Sequence, residues 1–299
     1  VEALRVAKLT LRKSLKKTRF RVGLVLVAAL VVLAITAPYI APYPLEGLGY
    51  VYPETLARRL QPPSLNHPFG TDLLGRDLFS RVLIATRTAL VQVLVVAALS
   101  LLTGIFVGVI AAYFKGPLEM LLNYFVELFM SIPTIVIALL FRMVFGQGMH
   151  VVITSLVVVW WAWYARIAYV YAKSFVEMDY VILAKLSGLN PFRIIMRHVA
   201  RNTLQPMLVQ TTSDLGSILL EASAINFMGL GLPQGSPEWG VMVYEAVWGL
   251  GLELFKTAPW LGVFPGLFIL VSALGFSLVA DTLREEMDPR LRKKWRLWF

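Results

Sequence analysis

The sequence predicts an all-α polytopic membrane protein with six transmembrane helices. Of its 299 residues, 58% are hydrophobic and only 15% charged, and the mean hydropathy is +0.71. A soluble fold of this length could not bury that much apolar surface. Residues 22–39, 89–113, 118–141, 151–170, 204–230 and 260–280 are each long and apolar enough to cross a bilayer. Lys and Arg divide unequally between the joining segments, 21 on one side and 7 on the other. With an even number of spans, this bias places both termini in the cytoplasm.

The elements follow in order. Residues 1–21 form a basic tail, and residues 22–42 hold the first transmembrane helix. That helix is long for a secretory h-region, and Pro38 follows Ala37 where cleavage would fall, so an uncleaved anchor is expected. Residues 43–87, rich in Pro and Gly, read as an ordered extracytoplasmic segment. Residues 88–281 form a five-helix core interrupted by a cytoplasmic loop at 173–201, and residues 282–299 are a second basic tail. In that tail Arg290, Arg292, Lys293, Lys294 and Arg296, with Trp295 and Trp298, are expected to rest on anionic lipid or on a cytoplasmic partner, or to act only as a topogenic signal. No repeat, low-complexity run or interdomain linker divides the chain.

Several chemistries are not expected. The net charge of +10 is spread through tails and loops, which fits membrane orientation better than nucleic-acid binding. With no Cys, disulfides and thiol chemistry are excluded, and His67, His150 and His198 lack ligand spacing, so no metal site is expected. There is no G-x-x-x-x-G-K-[ST] phosphate loop and no nucleophile motif, so the chain reads as a transporter component without catalytic residues or an ATPase site of its own.

Polar residues within spans are costly and need a reason. In the fifth span Gln210, Asp214, Ser217 and Glu221 recur at helical spacing. They form either a helix-to-helix hydrogen-bond seam or the lining of a translocation pathway. Asn123 and Glu127 make a similar pair in the third span, read as structural, and Gly104 and Gly108 permit close helix approach in the second.

The loop at 173–201 is the most informative segment. It reads as two short helices broken at Ser187-Gly188-Leu189-Asn190-Pro191. Gly188 can close a helix in a left-handed conformation, Asn190 can cap the next, and Pro191 suits a first helical position. Lys185, Arg193, Arg197 and Arg201 hold it on the cytoplasmic side. By spacing alone it either docks a soluble partner or lies on anionic headgroups. Tethering between two spans makes a DNA-binding role remote.

Asp179-Tyr180-Val181, Ala184-Lys185, Gly188, Arg193-Ile194-Ile195 and Arg197-His198 resemble the coupling loop of ABC importer permeases. That loop usually opens with Glu-Ala-Ala and later carries Leu-Pro. Here Ile182 and Leu183 replace the first two residues, and Ala200-Arg201 stand in place of Leu-Pro. Three further stretches resemble the C-type permease of the dipeptide/oligopeptide/nickel group. The first is His67-Pro68-Phe69-Gly70-Thr71-Asp72 with Gly75-Arg76-Asp77, Ser80-Arg81 and Arg87. The second is Glu221-Ala222, Phe227-Met228-Gly229-Leu230-Gly231 and Pro237-Glu238-Trp239-Gly240, and the third is Asp281, Leu283-Arg284 and Asp288-Pro289-Arg290-Leu291. Ser131-Ile132-Pro133 fits the third span, although Glu127 and Tyr124 replace a usual Asp and Arg.

The resemblance covers nearly the whole chain from Thr18 onward. It implies a type I ABC importer transmembrane-domain fold in a prokaryotic cytoplasmic (inner) membrane. The implied partners are a homologous second permease, two cytoplasmic ATPase subunits that bind ATP and Mg, and an extracytoplasmic substrate-binding protein. The cargo would be peptides, or else nickel or oligosaccharides. Asp179, Ala184, Lys185, Gly188, Asn190, Pro191 and Arg193 are then the ATPase-coupling residues, and Gly70, Thr71, Asp72, Gly75, Arg76 and Asp77 an extracytoplasmic family motif. The rival reading is an ion-gradient-driven transporter using Asp214 and Glu221, a class in which inverted repeats and broken spans are common; neither is expected from this sequence.

Overall fold

The computed structural model describes residues 13–248 and 256–287; the basic cluster from Arg290 onward and the first part of the N-terminal tail lie outside this range. Apart from one isolated bridge between Thr71 and Asp77, the regular structure among the described residues is helical. Helix α1 (Thr18–Ile40) ends where Ala41 precedes Pro42, whose ring disfavours a helical conformation in the residue before it. Two single turns, α2 (Pro44–Gly47) and α3 (Pro53–Leu56), each open on Pro.

Helix α4 (Leu78–Tyr113) starts well before residue 89, so the segment expected to run to residue 87 is shorter than its charges implied. Asp77 caps the helix by accepting from Ser80 N at 2.7 Å, and Arg81 satisfies its charge within the protein rather than in a loop. The third span is broken: α5 (Pro117–Met130) and α6 (Thr134–Phe145) meet at 84° across Ser131-Ile132-Pro133. Helix α7 (Met149–Val176) precedes α8 (Asp179–Leu186) and the single turn α9 (Pro191–Ile194). The second short helix does not stand alone, as expected, but continues through a π-helical segment, Ile195–Ala200, directly into α10 (Arg201–Phe227). A return helix, α11 (Trp239–Trp248), and α12 (Trp260–Met287) complete the described chain.

Among the described residues four helices, α1, α4, α7 and α12, are long and apolar enough to cross a membrane, or five if the bent α5–α6 pair counts as one span. Six spans were expected. The difference lies in α10, which is 27 residues long but carries Gln210, Thr211, Thr212, Ser213, Asp214 and Glu221. Its first turns lie beside the end of α12, where Arg284 Nη2 donates to Gln210 Oε1 at 3.4 Å. Lys17 at the start of α1 pairs with Glu285 and Glu286 at 2.9 Å. The described ends of the chain and the start of α10 therefore share one side of the bundle.

The core centres on α4, α7 and α10, with Val82, Val93, Val96, Leu156, Tyr164, Ile218, Leu219 and Ala222 all buried. Gly104 and Gly108 bring α4 hard against α7. A Cβ on Gly104 would lie 2.4 Å from Tyr164 Cβ, and one on Gly108 would lie 2.5 Å from Ala165 O. Backbone cannot yield there as a flexible side chain can. Gly108→Leu is therefore expected to destabilise the bundle by about 1–3 kcal/mol or more, read as a lower thermal unfolding midpoint of the detergent-solubilised protein; an unchanged midpoint would contradict this contact.

Candidate functional site

The turn after α8 is built by local chemistry. Leu189 N donates to Ala184 O at 3.2 Å and Gly188 N to Lys185 O at 3.1 Å, the paired bonds that close a helix when the residue past its end is left-handed. Gly188 supplies that conformation with φ +73°. Asn190 Oδ1 then accepts from Phe192 N at 2.8 Å, capping the next turn, with Pro191 at its first position. Asp179 sits in the first turn of α8, where its charge suits the helix dipole. Lys185 Nζ lies 4.4 Å from the Tyr113 ring centroid, so it is held against the end of α4. Arg193 is exposed.

The underside of this turn is packed and the outside is bare. Val181, Ala184, Ile194 and Ile195 form one buried cluster with Val109 and Ala112 of α4 and Ala172 and Val176 of α7. Outward, Leu186 is 79% exposed, Phe192 69% and Leu183 62%. Asn202 Nδ2 also donates to Tyr180 OH at 2.9 Å, tying α8 to the start of α10. The turn is thus a rigid knob with an apolar outer face, fixed to the ends of α4, α7 and α10.

The polar face of α10 is divided. Gln210 Nε2 donates to Asp214 Oδ1 at 2.9 Å, Trp163 Nε1 donates to Asp214 Oδ2 at 3.3 Å, and Trp160 Nε1 donates to Glu221 Oε2 at 3.0 Å. Both carboxylates of α10 thus accept from α7, while Ser217 is exposed.

The segment before α4 brings together Gly70, Thr71, Asp72, Gly75, Arg76 and Asp77. Asp72 Oδ2 accepts from Arg76 Nε at 2.7 Å and from Arg81 Nη1 at 2.6 Å, while Oδ1 accepts from Leu74 N and Arg76 N, both at 2.9 Å. Arg81 Nη1 also donates to Glu245 Oε2 of α11 at 2.9 Å, and Arg76 Nη2 lies 3.8 Å from the same oxygen. Burial opposes the charge on Asp72, but Arg81, Arg76 and the two amides outweigh it and hold the carboxyl below its ordinary value. Beside this cluster, His67 Nδ1 lies 2.8 Å from Asp77 Oδ1, and Glu46 accepts from Arg58 and from Asp77 N. Gly75, with φ +78°, has no room for a Cβ, which would fall 1.6 Å from Thr55 O. Thr71 Oγ1 donates to Arg58 O and accepts from Gln61 N.

The role of Arg81 and of its distant partner Glu245 had no signal in local spacing, and neither did that of Glu46, which holds Arg58 and Asp77 N. Neither did that of Glu238, which is fully buried. Glu238 Oε2 accepts from Val241 N at 2.8 Å in the first turn of α11, whereas Oε1 has no hydrogen-bond partner. Burial pushes this carboxyl from its usual 4.5 up to about 8. An acid raised in this way binds its proton more tightly when folded, so this group destabilises the fold progressively as pH rises from about 4.5 to about 8. Glu238→Gln should remove that contribution: the gain in unfolding midpoint over the parent protein should grow from about pH 5 to about pH 8. A difference independent of pH would show that Glu238 does not titrate in this range.

Beyond the geometry, residues 104–293 match the family described as binding-protein-dependent transport system inner membrane component, and residues 7–63 match the N-terminal transmembrane domain of oligopeptide transport permease C. The nickel transport system permease protein NikC of Escherichia coli K12 is 33% identical over 274 residues, covering 91% of this chain and 94% of that protein. The dipeptide transport system permease protein DppC of Alkalihalophilus pseudofirmus is 32% identical over 94% of this chain and 89% of its own length. A chain of the inward-facing MetNI methionine ABC transporter aligns with a TM-score of 0.49 at 19% identity, covering 68% of this chain and 96% of that one. The chain is a membrane-spanning member of the binding-protein-dependent inner membrane components, the permeases of ABC importers. Within them it belongs to the dipeptide, oligopeptide and nickel permeases.

Proposed function

We propose that this chain is one half of a peptide-translocating permease with six crossings, α10 serving as the fifth despite its polar face and the bent α5–α6 pair as the third. Both termini and the α8–α9 turn face the cytoplasm, and the segment before α4 faces outward. A homologous permease completes the pathway. Two ATPases, which bind the ATP and Mg, grip the α8–α9 turn, and an extracytoplasmic binding protein delivers cargo. The observation that carries the coupling role is the knob itself: Leu183, Leu186 and Phe192 are exposed on an element whose underside packs on α4 and α7. Exposed apolar residues on a rigid turn between spans suit a groove on a soluble partner. When ATP draws the ATPases together, the knob moves with them; α4 and α7 follow because they share its core, and α10 because it continues directly from the same segment. Each ligand shifts the inward–outward equilibrium only through its different affinity for the two states.

Peptide cargo follows the relatives, among which dipeptide permeases stand beside the nickel permease. The reading is tested by reconstituting the complex and measuring ATPase stimulation and uptake with binding protein loaded with dipeptides, oligopeptides or nickel complexes. Peptide-dependent stimulation is expected; stimulation by nickel complexes alone would overturn the cargo. Orientation is tested with Ser187→Cys, since the chain has no native Cys. Labelling only from the cytoplasmic side is expected, and labelling only from outside would overturn the topology.

A further inference from the structure

At the end of α10 remote from the coupling turn, three elements converge on one recess. A helix of 27 residues separates the two ends by roughly 40 Å. The polar part of the recess, about 170 Å³, is lined by Arg142 at the end of α6, Gln147 beyond it, Asn226 in the last turn of α10, and Gln234 and Tyr244 on the return loop and α11. An apolar part of about 480 Å³ adjoins it, lined by Phe227, Met228 and Trp248 and sharing Tyr244. Gly148 N donates to Gly231 O at 3.0 Å, which ties the α6–α7 connection to the loop after α10.

The polar wall presents hydrogen-bond donors. Arg142 pairs with no carboxylate among the described residues; with its amide oxygen turned inward, Gln147 accepts from both guanidinium nitrogens at 2.7 and 2.6 Å, orienting the fork. Asn226 is 1% exposed and its Oδ1 accepts from Leu232 N at 3.0 Å, yet its Nδ2 has no hydrogen-bond partner. Glu238 uses one oxygen on α11 and lies close enough to Asn226 for that amide to favour its charged form, though Glu238 Oε1 and Asn226 Nδ2 do not reach hydrogen-bond geometry. A buried donor left unpaired is costly unless a ligand meets it. An oriented guanidinium beside that donor matches a carboxylate, and the adjoining aromatic walls match an apolar side chain attached near it.

We infer that this recess receives the C-terminal carboxylate of a short peptide, with Phe227, Met228 and Trp248 contacting the neighbouring side chain. This rests on the peptide-permease reading and names the groups that would meet the cargo where it leaves the binding protein. The test uses the whole complex in proteoliposomes with alanyl-p-benzoylphenylalanine, a dipeptide that cross-links on illumination. Cross-links are expected at residues 227–248, and with saturating binding protein Arg142→Gln should lower both uptake and cross-linking about tenfold, the scale of one charge-assisted hydrogen bond. Arg142→Lys, which keeps the charge, should retain much more of both, a rescue that a purely structural role for Arg142 would not produce. Trp248→Ala should also weaken cross-linking, and unchanged membrane insertion and complex assembly in each variant separate loss of contact from loss of folding. Unchanged uptake and cross-linking in Arg142→Gln would overturn the inference, as would labelling of the recess by a photoactivatable phospholipid but not by the dipeptide. If the unmodified complex imports no peptide, the peptide reading itself falls, a result distinct from failure of the variant alone.

Discussion

Gly188→Val is expected to abolish substrate-stimulated ATP hydrolysis and uptake while leaving insertion and binding-protein association intact. The cause is backbone conformation alone. A Cβ at Gly188 would meet nothing within 4 Å, so no steric clash with the rest of the protein enters. Its φ of +73°, however, is a region that costs an L-residue about 1–2 kcal/mol, and a β-branched residue is the poorest occupant. Relaxing that strain would break the bonds from Gly188 N and Leu189 N and misaim α8 relative to α9. Gly188→Asn is the control, because Asn tolerates the left-handed region, and it should keep most of the coupling. Lys185→Ala should cost little, since an exposed cation over an aromatic ring contributes about 0.5–1 kcal/mol. The two glycine variants are compared in proteoliposomes by the rise in ATPase rate with loaded binding protein; normal stimulation and uptake in the valine variant would remove the coupling role.

Arg81→Met should be the most damaging single change to the fold outside the glycine contacts. Arg81 is 1% exposed and joins Asp72 to Glu245, so its loss leaves the buried Asp72 and the half-buried Glu245 with Arg76 alone between them, 3.8 Å from Glu245. Breaking a buried pair from one side costs about 3–5 kcal/mol. The loss should appear as a lower thermal unfolding midpoint and as protease sensitivity near Gly235, whose amide donates to Glu245 and whose carbonyl accepts from Arg76. Adding Glu245→Gln to Arg81→Met should recover part of the loss, because one of the stranded charges is then gone. A double variant no better than the single one would show that the pair acts independently. Asp72 gives the pH signature of the same cluster. Its folded value is depressed, so its contribution is complete above the ordinary carboxylate value near 3.8 and is lost as pH falls through the lowered one.

The parts of this molecule governed by near neighbours in the chain were legible in its sequence. Apolar runs located the long helices, because in a bilayer each span must satisfy its own backbone and present hydrocarbon to lipid. Gly188, Asn190 and Pro191 specified the turn between α8 and α9 because each acts through φ or a local hydrogen bond, and the structure places them as that chemistry requires. The signature residues from Gly70 to Asp77 were likewise visible, but what they do was not. Arg81 reads as a loop charge until Asp72 and Glu245 surround it, and Glu245 lies 164 positions away, so α4 begins well before the expected boundary. That Trp163 and Trp160 of α7 donate to Asp214 and Glu221 is likewise invisible in the spacing of α10. The recess at Arg142 arises from three segments that share no motif. Composition and local turn chemistry thus determined the class and the shape of the α8–α9 turn, whereas tertiary structure alone decided which buried charges are paired, because a partner's distance in space is not encoded in its distance along the chain.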